Sequence, residues 1–408
     1  MLILTHGFLA LVSPIVFKSE TMRIVDAIPY NGEPVCDVRL AYLKDVIDHF
    51  YIFESSVAQN GIKKKLYGTE LLSRHPDLAD KIIYVHADDF IDFEAYDQSL
   101  IDYIKSEKTP QTNEIFRQSA LARENKLRCF MHDYLKDHLN KDDLLFFTDA
   151  DEIPTHDAVE YVRKHAYDLP YPLYILGDCI QSSVRSHASH QKMFWYESFF
   201  IPADQLSSCE PLSHIRFRHH FNANMGQGKI SKNFIPMEEN LLLATRDGIG
   251  LKVYNHVISR YKRIEDELTY VPLMFHLRDF MTLTGKYKKN LHSSFYIKAD
   301  FDVDSFANYL FADFENFKRN AILMFYQNKM DRLYDYPHFK KIMPESLYQF
   351  GYDLAEKNTS IPDDDIFMQD YKDLYLPFQK ELYDILSKEQ DLSEDILKLM
   401  QDRPPLSD

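Results

Sequence analysis

Asp142-Asp143-Leu144-Leu145-Phe146-Phe147-Thr148-Asp149-Ala150-Asp151-Glu152-Ile153-Pro154 is the stretch on which the reading of this chain turns. The apolar run Leu144 to Phe147 has the length and aromatic content of a short buried strand. It empties into the carboxylates Asp149, Asp151 and Glu152. In open α/β sheets, ligands bind in the crevice beyond the carboxyl ends of the strands. Two aspartates spaced i, i+2 at such an edge can hold one hard divalent cation, Mg²⁺ or Mn²⁺, with water and phosphate oxygens at its other positions. A plainer reading makes these carboxylates loop and helix-start residues that suit the helix dipole. Thr155 would then cap that helix, with Pro154 limiting what precedes it. The strand context favours chemistry.

Outward from this stretch, strand-like and helix-like segments alternate. Arg23–Ile28 is a candidate first strand, followed by the turn Pro29-Tyr30-Asn31-Gly32. Val38, Leu40, Leu43, Val46 and Ile47 recur at helical spacing within Asp37–Asp48. Further strands are read at Phe50–Ser55, Lys81–His86 and Leu173–Ile180, with helices at Asn113–Leu139 (one or two) and Thr155–His165. Strands alternating with helices imply an α/β fold, a largely parallel sheet with helices on both faces. Beyond Phe217 the pattern loosens. Asn222–Lys232 is loop-like and glycine-bearing but lacks the spacing of a phosphate-cradling P-loop. From Asp302 to Leu399 the chain reads as predominantly helical, and Asp363–Asp365 as a helix start or solvated turn.

Composition bounds the possibilities. The 408 residues are 45% hydrophobic and 14% aromatic, enough for a large core in one or two domains. A net charge of −16 argues against a general nucleic-acid binder, which carries a basic footprint. An acidic protein that binds a diphosphate needs a local cation and a few placed Lys or Arg residues. The cysteines Cys36, Cys129, Cys179 and Cys209 are scattered with no Cys-x-x-Cys pair, which suits free thiols in a reducing, cytoplasmic setting. Leu2–Phe17 is mostly apolar but holds His6, Ser13 and Pro14 and lacks a basic start. It is weak both as a spanning helix and as a signal peptide. The expectation is a soluble protein that can rest on a membrane surface, with Met22 as a candidate natural start.

Three segments, in order, carry a resemblance. Asp26-Ala27-Ile28-Pro29-Tyr30-Asn31-Gly32-Glu33 precedes Arg39-Leu40; Tyr51-Ile52-Phe53-Glu54-Ser55-Ser56 precedes Gly61, Lys63–Lys65 and Leu66; and Asp149-Ala150-Asp151-Glu152-Ile153-Pro154 closes the set, with Glu114, Arg117 and Gln118 ahead of it. Together they resemble glycosyltransferase family 17, which includes the bisecting β-1,4-N-acetylglucosaminyltransferase of N-glycan processing. The likeness spans roughly Arg23 to Ile180. It implies a GT-A fold and a DXD motif. It also implies inverting transfer from a UDP-sugar. The donor sugar and the acceptor do not carry over from the family; the leading hypothesis is transfer of a sugar (GlcNAc or another hexose) to a glycan hydroxyl of a lipopolysaccharide, capsule or glycoprotein. The corresponding organisation is an extension (1–22), a GT-A domain (23–300, donor half 23–180, acceptor half 181–300) and a helical region (301–408). The C-terminal half departs from the family, with only a loose echo of its His-aromatic pattern at Met274–Phe280.

On this reading Asp151 is the leading metal ligand, and Asp149 reaches the donor ribose or the metal. A third ligand from the C-terminal half is best sought at His276, with His256 and His219 behind it, although most of the 17 histidines are structural. Donor-binding candidates are Asp26, Arg39, Glu54, Lys65, Arg117 and Asp149. Glu54 competes with a role as a cap, and the arginines with ordinary salt bridges. An inverting transfer needs a carboxylate to deprotonate the acceptor hydroxyl; Asp178, Glu197 and Asp279 are candidates. Trp195, with Phe194 and Tyr196, is either a stacking platform for a sugar or a core strand. Two other classes compete. A sugar nucleotidyltransferase usually opens with a Gly-rich, basic loop after its first strand, whereas Pro29–Val35 has one glycine and no Lys or Arg. A degenerate member binding a glycan or protein is disfavoured by the intact aspartate pair.

Overall fold

The computed structural model describes residues 22–59, 64–92, 112–175, 177–181, 194–195, 197–217, 234–236, 241–247, 254–264, 267–271, 273–278, 314–315, 317–319, 343–357, 364–376 and 380. The segment 1–21, the stretch 222–232, Lys63, Tyr196, His219 and Asp279 lie outside them, as do the side chains of Arg117, Asp178, Trp195 and His256.

The first half builds a parallel block. Its order along the chain is β1 (Ile24–Pro29), α1 (Val35–Leu43), β2 (His49–Glu54), α2 (Gly68–Arg74), β3 (Ile82–His86), the long helix α3 (Thr112–His138) and β4 (Leu144–Phe147). In space β4, β1, β2 and β3 lie side by side, all parallel. The chain runs from β1 outward to β3 and then crosses to the other side of β1. The crevice between the ends of β1 and β4 is therefore a topological switch point, where open α/β sheets bind ligands. Gly32 makes the turn after β1 with φ 83°, in the left-handed region that glycine alone enters freely.

Side chains along these strands alternate between two cores. Ile24, Ile28, Ile52, Leu144 and Phe146 pack with Leu40 and Leu43 of α1, and with Val159 and Val162 of α4 (His156–His165). Val25, Ala27, Phe53, Leu145 and Phe147 pack on the other face against Met131 and Leu135 of α3, and against Leu212 and Ile215 of α5 (Leu212–Phe217). Burial on both faces is why Leu144–Phe147 reads as an unbroken apolar run. Thr155 caps α4 as expected, its Oγ1 accepting the Ala158 N–H at 3.3 Å.

After the aspartate loop come β5 (Glu152–Pro154), β6 (Leu173–Ile175), β7 (Gly177–Gln181), β8 (Phe194–Trp195) and β9 (Phe199–Pro202). The single strand expected over Leu173–Ile180 divides. β6 joins the main sheet, while β7 enters a second one. β10 (Phe234–Pro236), β11 (Leu241–Asp247), β12 (Tyr254–Ile264) and β13 (Glu267–Val271) extend the main sheet, and β14 (Met274–Arg278) joins the second. The main sheet runs β10-β11-β12-β6-β9-β4-β1-β2-β3, with β13 on β12. The second runs β5-β14-β7-β8, with β14 antiparallel to β5 and parallel to β7. This is the expected α/β fold, a Rossmann-like GT-A arrangement flanked by helices. Its added strands are mostly antiparallel, as the β4–β9 and β11–β12 pairs show. Helices recur toward the C-terminus at α6 (Glu345–Lys357) and α7 (Asp364–Asp370); the latter begins within the Asp363–Asp365 stretch, as expected. Among the described residues no helix is long and apolar enough to cross a membrane.

The β4–β9 seam depends on Phe146 and Phe200, both fully buried with ring centroids 4.5 Å apart. Phe200→Ala should cost about 3–5 kcal/mol in urea unfolding, since it deletes a large core side chain and leaves a cavity. A loss under about 1 kcal/mol would show that this seam does not hold the added strands to the parallel block.

Candidate active site

Asp26 and Arg39 lie within otherwise apolar surfaces of β1 and α1, and neither side chain is exposed to solvent. The Arg39 guanidinium donates to both Asp26 oxygens at 2.7 Å. Its remaining nitrogen, Nη1, donates to the carbonyl oxygens of Asp149 at 3.0 Å and Glu152 at 2.7 Å, with that of Ala150 farther off at 3.5 Å. The guanidinium also lies 5.8 Å from the Phe146 ring centroid. A planar fork with fixed donors suits this task, which a lysine could not perform. Arg39 and Asp26, both donor-site candidates by sequence, are thus brought to the aspartate loop from beneath. They shape its backbone.

The loop side chains are held by arginines that sequence reasoning did not single out. Asp149 accepts from Arg128 of α3 at 2.5 Å through Oδ1, and from Arg216 of α5 through Oδ2. Arg216 also donates to both Glu152 oxygens, Nη1 to Oε2 at 2.9 Å and Nη2 to Oε1 at 2.7 Å, and lies 3.4 Å from Glu197. Glu152 further accepts from Thr148 Oγ1 at 3.0 Å, from Ser198 Oγ, and from the Asp149 N–H at 3.1 Å. Burial works to raise the Glu152 carboxyl. The charge and hydrogen bonds of Arg216, followed by His276 and Ser198, outweigh it and hold the group well below the usual carboxylate range. Burial likewise opposes the charge on Arg216, and Asp149, Glu152 and Glu197 overcome it.

Asp151 has different company. Its backbone carbonyl accepts the Leu277 N–H at 2.7 Å, which ties the loop to β14. His276, one residue earlier on β14, places Nε2 3.5 Å from Asp151 Oδ2. In register, His276 pairs with Glu152 on β5 and Cys179 on β7, and Asp178 pairs with Phe275. The structure therefore brings His276 to the aspartate loop across more than a hundred residues of chain, and brings Glu197 in through Arg216. Among the described residues no group of three His, Cys, Asp or Glu side chains is placed to hold a metal.

Other donor-site candidates fall elsewhere. Glu54, fully buried at the end of β2, takes hydrogen bonds from Lys64 Nζ at 2.7 Å, Tyr67 N at 2.9 Å, Gly68 N at 2.8 Å and Tyr84 Oη at 3.0 Å. This is the capping role weighed against donor binding. Gly68 permits the close approach, because a Cβ there would meet the Tyr84 ring at 1.9 Å. Lys65 is exposed and paired with Glu70 on α2. No pattern of spacing marks Arg216 in the sequence. Arg128 could have been found as the one basic residue four positions after Glu124 on the face of α3 that leads to the loop, and the two are paired at 2.9 Å.

The sequence model of glycosyltransferase family 17 matches residues 14–176. The match takes in β1 to β6 and the aspartate loop, as the sequence resemblance anticipated, and it supports membership in a glycosyltransferase family, enzymes that transfer a sugar. Glu197, Arg216 and His276 lie beyond the matched stretch. No curated protein matches the chain.

Arg39→Met should cost about 3–5 kcal/mol in chemical unfolding, because it strands Asp26 as a buried unpaired charge. Asp26→Leu combined with Arg39→Met should recover much of that loss, and a single-variant cost under about 1 kcal/mol would contradict the anchoring role. Glu152 gives a pH signature. Its folded-state pKa lies below the unfolded value of about 4.3, so its contribution is complete above that pH and fades as pH falls through the folded value. Glu152→Gln should be less stable at neutral pH and lose less stability between about pH 5 and about pH 3. Parallel acid profiles for variant and parent would rule this out.

Proposed function

We propose that the protein is a metal-dependent inverting glycosyltransferase that moves a sugar from a UDP-sugar to a glycan hydroxyl. The observation that carries this reading is the 3.5 Å approach of His276 Nε2 to Asp151 Oδ2 at the carboxyl end of the parallel block. It sets a carboxylate and an imidazole side by side at the switch-point crevice of a chain whose first half matches a glycosyltransferase family.

The donor set fits a divalent cation. Asp151 and His276 would hold it, with water and the donor's phosphates at its remaining positions. A nitrogen ligand favours Mn²⁺ over Mg²⁺, whose preference is for oxygen. When bound, such a cation acts as a Lewis acid that stabilises charge on the departing UDP. Arg39 keeps the loop backbone fixed, so that little reorganisation would be needed at the moment of transfer. Among the candidate bases, Glu197 lies beside the loop, 3.4 Å from Arg216. We assign it first place as the group that takes the acceptor proton. Asp178, in register with Phe275, and Asp279 follow. Asp149, held between two arginines, serves the donor by shaping the loop. The chain's net charge of −16 gives an anionic donor no general attraction, which makes the local cation the decisive contact.

Titration calorimetry of UDP into the protein tests the donor site. Binding should appear with Mn²⁺, vanish with EDTA, and weaken at least about tenfold in Asp151→Ala and His276→Ala. UDP binding that is absent, or indifferent to metal and to both substitutions, would refute the reading. A screen of UDP-sugars for slow hydrolysis would then identify the donor.

A further inference from the structure

The aspartates of the loop face different neighbours, and one residue accounts for the difference. Both oxygens of Asp149 are committed to guanidinium groups, Oδ1 to Arg128 at 2.5 Å and Oδ2 to Arg216. These arginines arrive from different helices and are 2% and 1% exposed, respectively. The Asp149 side chain is 28% exposed, but its release would take a partner from two buried guanidinium groups, so it does not leave them cheaply. Arg216 does more. Its terminal nitrogens span Asp149 and Glu152, so loop positions i and i+3 are fixed on one guanidinium. The intervening Asp151 lies on the side of β14, where His276 stands. A divalent cation is repelled by a guanidinium at short range, so the Asp149 side of the loop is also its less favourable side.

We infer that Arg216 is a positioning residue: with Arg128 it clamps Asp149, it ties that residue to Glu152, and it thereby removes Asp149 from the set of direct cation ligands, leaving Asp151 beside His276 as the ligand of the loop. Its functional part rests on the cation-binding reading above; the clamp itself does not. Arg216 lies outside the stretch that matches the family, so the matched aspartate motif, shaped from within by Arg39 and Arg128, is also held by a residue beyond that stretch.

Two measurements on the full-length chain test it. The first is titration with Mn²⁺ alone, followed by the electron paramagnetic resonance signal of the free ion. Asp149→Asn should bind Mn²⁺ within about threefold of the parent, while Asp151→Asn should lose about tenfold or more. Arg216→Gln frees Oδ2 of Asp149, while Arg128 still holds Oδ1, and removes a positive charge beside the site; it should tighten Mn²⁺ binding by about threefold or more, a gain that Arg216→Lys should lack. A guanidinium with a merely structural role would not produce that pattern. The second is urea unfolding of Asp149→Asn, Arg216→Gln and the double variant, in which the effects on the unfolding constant should be non-additive by about tenfold. Asp149→Asn losing Mn²⁺ as fully as Asp151→Asn would overturn the inference. So would a folded Arg216→Gln with parental Mn²⁺ affinity, or additive unfolding. A parent chain that binds no Mn²⁺ would sink the cation reading and the ligand assignment with it, while the unfolding cycle would still decide the clamp.

Discussion

The buried pair of Asp26 and Arg39 is the constraint from which the site is built. A carboxylate in the middle of the central strand and a guanidinium on the covering helix are both fully desolvated, which is costly unless each is completely partnered. Asp26 satisfies two of the guanidinium's donor groups, and the third is satisfied only if the backbone of 149–152 lies where it does. The helix position, the strand register and the loop conformation therefore cannot be chosen independently. Replacing such a pair by hydrocarbon is often neutral or better for stability, so its use here fits a need for geometry.

A second sheet converts that fixed loop into a meeting point of both halves of the chain. β5 is only three residues long, yet it pairs with β14 and so carries the residues after Asp151 directly onto a strand from far along the sequence. The hydrogen bond from Leu277 N to Asp151 O continues that pairing into the loop. Arg216 makes the complementary tie from the other face through α5, which packs with α3 on the second core. The loop is thus held from below by Arg39, from one side by Arg128 and Arg216, and from the other by β14.

Much of the parallel block was legible because its signals are local. Leu144–Phe147, Phe50–Phe53 and Ile82–Val85 are apolar runs bounded by polar residues, and parallel strands buried on both faces produce such runs. The division of 173–181 between two sheets was not legible, because a change of sheet leaves both pieces extended and apolar and alters only their partners. Of the site, Asp151 and His276 were named from sequence and are adjacent in space. Arg39 was named with a different part in view. The clue to its place was an arginine among Val35, Leu40 and Leu43 on the buried stripe of α1, opposite an aspartate among Val25, Ala27 and Ile28. Opposite charges on two surfaces that must pack together have to find each other. Arg216 could not be found this way, since its partners lie far away on a loop whose shape the sequence alone does not specify.

The charge balance of the site explains why so much of it is arginine. Glu124, Asp149, Asp151, Glu152 and Glu197 gather around the loop, and Arg128 and Arg216 are the described cations that engage Asp149 and Glu152 among them. Without those guanidinium groups, carboxylates this close would repel one another and take up protons, and the loop would lose the fixed field that recognition of a charged group requires. With them, the cluster is net negative among the described residues. An anionic diphosphate would meet repulsion there, and a divalent cation would meet attraction. For the proposed activity the physical order would then be cation before donor: a dication on the Asp151 side would cancel negative charge, and the crevice beside β1 would become a more favourable place for phosphate oxygens.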